Sequence, residues 1–120
     1  WKSVREQTHD FFQPETSLWR LSINSTTLPL KFPFLPGKQL IEWNGALRWL
    51  ACSGDDRKTA ADSIRQAANM AGGHATLFRG NQSNQIFQPL GTALLSIHQR
   101  LKQKFDPAGI FNPGRLYPEL

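Results

Sequence analysis

Apolar and polar positions alternate over Leu18-Trp19-Arg20-Leu21-Ser22-Ile23, with Trp19, Leu21 and Ile23 on one side and Arg20 and Ser22 on the other. That period of two predicts a half-buried strand. Leu40-Ile41-Glu42-Trp43 and Ala46-Leu47-Arg48-Trp49-Leu50-Ala51 flank Asn44-Gly45. Asn-Gly between two such runs predicts a β-hairpin, because a type I′ turn needs positive φ at both central residues. Before these strands, Val4, Thr8, Phe11 and Phe12 fall at helical spacing and Pro14 interrupts them, which predicts a short helix over residues 1–12. Between the strands, residues 25–38 carry Pro29, Pro33, Pro36 and Gly37. Proline fixes φ and lacks an N–H, so an extended loop is expected, with Leu30, Phe32, Phe34 and Leu35 packing it onto the sheet.

The period then changes. Ser53-Gly54-Asp55-Asp56 reads as a turn whose Asp caps a helix. In that helix Ala60, Ala61, Ile64, Ala67, Ala68 and Ala71 form a small-residue face suited to lie close on a sheet, and Gly72-Gly73 ends it. His74-Ala75-Thr76-Leu77-Phe78 is a further strand, and residues 79–88 are polar and irregular. A long helix is expected from about Pro89 to Phe105, its face formed by Leu90, Leu94, Ile97, Leu101 and Phe105. Arg100, Lys102 and Lys104 suit its C-terminal dipole, and Asp106-Pro107 stops it. The order of elements predicts an α+β fold: an antiparallel sheet of about four strands with helices on one face. The plan is ferredoxin-like, with one helix replaced by the proline-rich loop.

Composition narrows the class. At 120 residues the chain is one domain's worth of sequence, 39% hydrophobic and 19% charged, with four Trp and eight Phe that need a packed interior or a partner surface. The lone Cys52 excludes an internal disulfide framework and a Cys-based zinc site. No apolar run approaches the roughly 18 residues of a membrane span. No signal peptide opens the chain, and its first residue is Trp, so a fragment or processed piece is expected. The net charge of +5 admits anionic partners without choosing one.

The chemistry concentrates at the C-terminus. Asn112-Pro113-Gly114 has Pro and Gly where a type II turn wants them, and Arg115 follows as a fork-shaped cation suited to phosphate or carboxylate. Such a turn exposes backbone N–H groups and frees the Asn112 amide; it serves equally as a clamp on the preceding helix end. The stretch Asp106-Pro107-Ala108-Gly109-Ile110-Phe111-Asn112-Pro113-Gly114-Arg115 resembles the C-terminal signature of FAD-linked oxidases of the vanillyl-alcohol-oxidase type. Three further stretches, 18–22, 40–50 and 72–80, are similar to the C-terminal part of the FAD-binding E subunits of glycolate oxidases. With them the resemblance covers essentially the whole chain.

That resemblance implies a cap domain, residues 1–120, whose N-terminal FAD-binding domain is absent from the chain. Its tail, 106–120, faces the flavin. It implies FAD as cofactor of the full-length protein, bound in part through Asn112, Pro113, Gly114 and Arg115, but not retained by this piece. The implied partners are the N-terminal FAD domain, a second flavoprotein subunit and an iron–sulfur subunit. Glycolate is the implied substrate, oxidised to glyoxylate, and the location cytoplasmic, peripheral to the inner membrane through the complex. Catalytic relatives carry Gly-His-x-Gly-Asp-Gly-Asn-x-His on a strand of this domain. Here Gly73-His74-Ala75-Thr76-Leu77-Phe78-Arg79 keeps the first His and lacks the acid and the second His. No catalytic residue and no metal ligand can be carried over, and a purely docking role within the complex stands as an alternative.

Other residues offer less. His74 opens a strand, and Arg79 could join it in gripping a hydroxy-acid carboxylate if the strand end curves back. His9 and His98 read as surface and boundary residues, and Cys52 as a buried small residue. A basic nucleic-acid-binding domain is the alternative from another class, with Arg100, Lys102, Lys104 and Arg115 as a patch and Trp1, Trp19, Trp43 and Trp49 to stack bases. The core-like spacing of the Trp residues and the dispersed charge speak against it.

Overall fold

The computed structural model describes residues 1–12, 17–32, 37–52, 57–80 and 86–120. The expected Asp cap at 55–56 and the packing of Phe34 and Leu35 lie outside the described residues. The chain divides into two compact units, Trp1–Ile86 and Phe87–Leu120.

The first unit is built on strands β1 (Ser17–Ser22), β2 (Gly37–Glu42), β3 (Leu47–Cys52) and β4 (His74–Arg79), in sheet order β2-β3-β1-β4 with every pairing antiparallel. With its helices this is an α+β fold. Alternation along the strands separates two apolar faces. On one, Trp19, Leu21, Ile23, Leu50, Cys52, Ala75 and Leu77 meet Ala61, Ile64 and Ala68 of helix α2 (Arg57–Met70). Small alanines let this helix approach the sheet closely; Ile64, at 0% exposure, fills the centre and contributes roughly 1.5–3 kcal/mol. Leu30 and Phe32 of the proline-rich segment pack against the same core, as their apolarity predicts.

The opposite face buries Leu18, Trp49 and Ala51 under Phe11 and Phe12. Edge-to-face contacts run from Phe11 to Phe12 (5.1 Å), Phe12 to Trp49 (5.6 Å) and Trp49 to Phe78 (5.1 Å), the geometry favoured by ring quadrupoles. The N-terminal segment is not the continuous helix its spacing predicts. Helix α1 covers only Lys2–Arg5, Gln7 takes a positive φ of 56°, and a 3-10 turn spans Asp10–Phe12. After this break the 3-10 turn carries both Phe11 and Phe12 into the cluster with Leu18, Trp49 and Ala51.

The hairpin forms where expected, with a longer connection. Asn44 (φ 52°, ψ 33°) and Gly45 (φ 92°) take the left-handed conformations of a type I′ turn, and the Ala46 N–H donates to the Trp43 carbonyl at 3.0 Å. Trp43 is itself at φ 50°, so the ladder ends at Glu42–Leu47 and Trp43 stands 77% exposed at the tip. Behind it lies a buried cation that sequence reasoning missed. The Arg48 guanidinium donates to the carbonyls of Gly45 (3.1 Å), Leu28 (3.1 Å) and Thr27, tying the hairpin to the segment that follows β1.

Helix α2 ends in a Schellman motif. Gly72 has φ 71°, its N–H donates to the Asn69 carbonyl at 3.0 Å, and the Gly73 N–H donates to the Ala68 carbonyl at 2.9 Å. Strand β4 carries a bulge: Leu18 pairs with Arg79 but Trp19 with Leu77, leaving Phe78 as the extra residue. A bulge shifts the alternation by one. Phe78 meets Trp49 and Arg79 reaches the Phe12 carbonyl at 2.8 Å, both on the N-terminal segment's side of the sheet.

In the second unit, helix α3 (Thr92–Phe105) has no buried residue. On the apolar face that its spacing predicts, Leu94, Ile97, Leu101 and Phe105 are exposed. No helix among the described residues is long and apolar enough to cross a membrane.

Candidate functional site

The tail turn has the geometry its sequence predicts. The Arg115 N–H donates to the Asn112 carbonyl at 3.2 Å, with Pro113 and Gly114 (φ 67°) at the two central positions, as in a type II turn. The expectation of free backbone donors fails at the three positions after Asn112. Pro113 has none, the Arg115 N–H closes the turn, and the Gly114 N–H is taken by the Leu120 carbonyl as 117–120 folds back. What the turn offers is side chains. Asn112 and Arg115 are exposed, and among the described residues neither side chain has a hydrogen-bond partner.

Two anchors bracket this turn. Before it, the buried Asp106 carboxylate accepts the Ile110 N–H on Oδ1 (3.0 Å) and the Phe111 N–H on Oδ2 (2.9 Å), and pairs with Lys102 Nζ at 2.6 Å. The hydrogen bond from Lys102, with the two backbone bonds, holds the Asp106 carboxyl below its ordinary value against the opposing effect of burial. Lys102 also donates to the Phe111 carbonyl. After the turn, the Tyr117 ring lies 6.2 Å from Phe87 and 6.4 Å from His98 between ring centroids, and partial burial raises the pKa of its hydroxyl. Sequence reasoning read Asp106 as a helix stop and passed over Tyr117. No local pattern in the sequence marks Asp106 as more than a helix stop.

The other proposed pair is not brought together. His74 is exposed at the start of β4, opposite Ser22, and Arg79 lies at its end, opposite Leu18. Five strand rises put them on the order of 15 Å apart. Arg79 is moreover engaged on the Phe12 carbonyl, because the bulge turns it there. Cys52 is buried, and burial pushes its thiol up to about 11, which suits a packing residue and not a nucleophile. No cluster of three or more His, Cys, Asp or Glu fit to hold a metal exists among the described residues. Trp19 and Trp49 are buried and unavailable for stacking bases, Arg48 is committed to carbonyls and Arg65 lies over the Trp19 ring at 5.3 Å.

FAD has distinct polar parts that such a turn could meet. An amide that both donates and accepts suits the flavin ring edge or the ribityl hydroxyls, and a guanidinium suits the diphosphate. Asn112 and Arg115, uncommitted and adjacent on a preformed turn, fit that donor set.

Residues 80–116 match the model of the FAD linked oxidases, C-terminal domain. The glycolate oxidase subunit GlcE of Escherichia coli (strain K12) is 45% identical over 120 residues, covering 100% of this chain and 31% of that protein. The chain thus spans about a third of the length of the curated relative it matches, and the resemblance read from its sequence holds from end to end. No solved structure matches the chain.

Proposed function

We propose that this chain is the C-terminal portion of an FAD-dependent subunit that takes part in oxidising glycolate to glyoxylate, and that its tail turn faces the flavin held by the rest of that subunit. The observation that carries the reading is the coincidence of two facts. Identity to a glycolate oxidase subunit runs the length of the chain. Within the family match lies a preformed turn with two uncommitted polar side chains. FAD, when bound, supplies acceptance of the two electrons released as the alcohol carbon becomes an aldehyde. Asn112 holds the polar edge of the flavin and Arg115 anchors the approach. Most of the flavin contacts belong to the part of the subunit outside this chain, so the isolated chain is expected to be colourless and inactive.

Replacing Asn112 by Ala tests this. In the isolated chain the change should cost no more than about 1 kcal/mol, since the side chain is exposed and unpartnered and alanine adds only the left-handed cost at φ 46°. In the full-length subunit it should weaken FAD retention, read as flavin lost on gel filtration. A stability loss of several kcal/mol in the isolated chain, or full FAD retention in the subunit, defeats the reading.

A second role, docking within a multisubunit oxidase, is favoured by the exposed stripe Leu94, Ile97 and Leu101 on α3 and by the missing acid and second His after His74. An apolar stripe of that kind marks an interaction surface. The two roles are compatible, and loss of complex assembly on Leu101→Asp with flavin retained would separate them.

A further inference from the structure

The segment between α3 and the turn is held in an unusual way. Its large side chains are not what fix it: Ile110 is 70% and Phe111 63% exposed. The fixing agent is a side chain. Asp106 takes the N–H groups of both residues, and Lys102 takes the carbonyl of Phe111 while neutralising the same carboxylate. The backbone of the two residues immediately before Asn112 is thereby bound to the end of α3. Stopping a helix needs none of this, because the proline at 107 already does so through its effect on the preceding residue.

From this we infer that Asp106 is the positioning residue of the flavin-facing turn. Its carboxylate presets the path 106–111 so that Asn112 and Arg115 meet the cofactor without first having to be ordered. A preset loop binds more tightly than a loose one because the ordering entropy has already been lost in the free protein. The inference rests on the reading that this turn faces FAD, and adds to it which residue sets the turn.

The discriminating change is Asp106→Asn. It preserves size and one acceptor oxygen but puts an NH2 group where Oδ2 now faces the Phe111 N–H and the Lys102 ammonium. The experiment uses the full-length subunit stripped of flavin, in wild-type, Asp106→Asn and Asn112→Ala forms. FAD is titrated in by flavin fluorescence, and amide hydrogen exchange over 107–116 is measured before FAD is added. Asp106→Asn should weaken FAD binding by about tenfold at unchanged saturating stoichiometry, with faster exchange in that segment. A general folding defect would lower the stoichiometry instead of the affinity. Asn112→Ala should weaken FAD binding with exchange at Ile110 and Phe111 unchanged.

Wild-type affinity in Asp106→Asn, beside a weakened Asn112→Ala, overturns the positioning role and leaves the turn's role standing. Wild-type affinity in both overturns the reading beneath it. If Asp106→Asn does not fold, Lys102→Gln takes its place: weaker FAD binding with faster exchange supports the inference, and unchanged affinity overturns it.

Discussion

Gly72 and Gly73 are neighbours that must be glycine for opposite reasons, and substituting each by alanine separates the two. A Cβ on Gly72 would find nothing within 4 Å, but the residue sits at φ 71°. Alanine there meets only the intrinsic left-handed cost of about 1–2 kcal/mol, partly offset by a stiffer unfolded chain, so about 1 kcal/mol is expected. Gly73 has no such φ, yet its Cβ would lie 1.9 Å from the Ser22 carbonyl oxygen and 2.8 Å from Ile23 Cα. An ordinary C···O approach is about 3.3 Å, so the end of β1 and the α2–β4 connection must part by more than 1 Å. Both contacts are backbone, and no rotamer change relieves them. Overpacking of this kind costs about 1–3 kcal/mol. The displacement also loosens the Gly73–Ala68 hydrogen bond and the Ser22–His74 pairing, adding about 1 kcal/mol. Gly73→Ala should therefore cost about 2–4 kcal/mol, against about 1 for Gly72→Ala. Urea unfolding followed by the fluorescence of the buried Trp19 and Trp49 and by far-ultraviolet circular dichroism reads both. If Gly73→Ala is no worse than Gly72→Ala, the close approach of the two segments is not as described.

Arg48→Met keeps the aliphatic stem but leaves the carbonyls of Gly45, Leu28 and Thr27 without their shared donor, and should destabilise the chain by about 2–4 kcal/mol in the same urea assay; a neutral result would mean water serves those carbonyls equally well. Cys52, buried and with its thiol pushed up to about 11, should resist a maleimide at pH 8 in the folded chain and react at once in urea; rapid labelling without denaturant would contradict its burial. Asp106 is held below its ordinary pKa, so the ionised carboxylate favours the native loop: that support is complete above the ordinary carboxyl range near 4 and is lost as pH falls through the lowered native value. Amide exchange at Ile110 and Phe111 should accelerate there ahead of Ala75 and Leu77 in the sheet, and uniform acceleration would show that Asp106 does not hold the loop.

The elements were legible wherever one local rule decided them. Alternation placed β1 within a residue of Ser17–Ser22, the alanine face placed α2, and Asn44-Gly45 placed the hairpin. The type II turn at 112–115 was legible because Pro and Gly each fit one of its positions. What local rules do not govern was missed. The break at Gln7 accompanies the burial of Phe11 and Phe12 in one cluster with Leu18, Trp49 and Ala51, a packing made across the fold. The bulge at Phe78 turns Arg79 toward the Phe12 carbonyl, and a period of two cannot foresee a shift in its own phase. The amphipathic stripe of α3 correctly marked a helix but not what covers it, since periodicity is blind to the partner. At the candidate site the turn was readable and the carboxylate behind it was not, because a side chain bonding to backbone N–H groups four and five residues on leaves no periodic trace.

The strand order has a consequence for how the chain comes off the ribosome. Of these four strands β1 is made first, and it occupies an interior position, between β3 and β4. Its pairing begins only when residues 47–52 have emerged and is complete only after Arg79. The β2–β3 hairpin, closed by a short connection, can form as soon as it is synthesised, whereas β1 must wait for partners far along the chain, the kind of long-range pairing that slows folding. Through that interval Leu18, Trp19 and Leu21, which the native state buries on two faces, stay in water as a short apolar ribbon with unpaired edges. The newborn chain therefore passes through a stage that favours binding by a chaperone, and a pause in translation before β4 would prolong it.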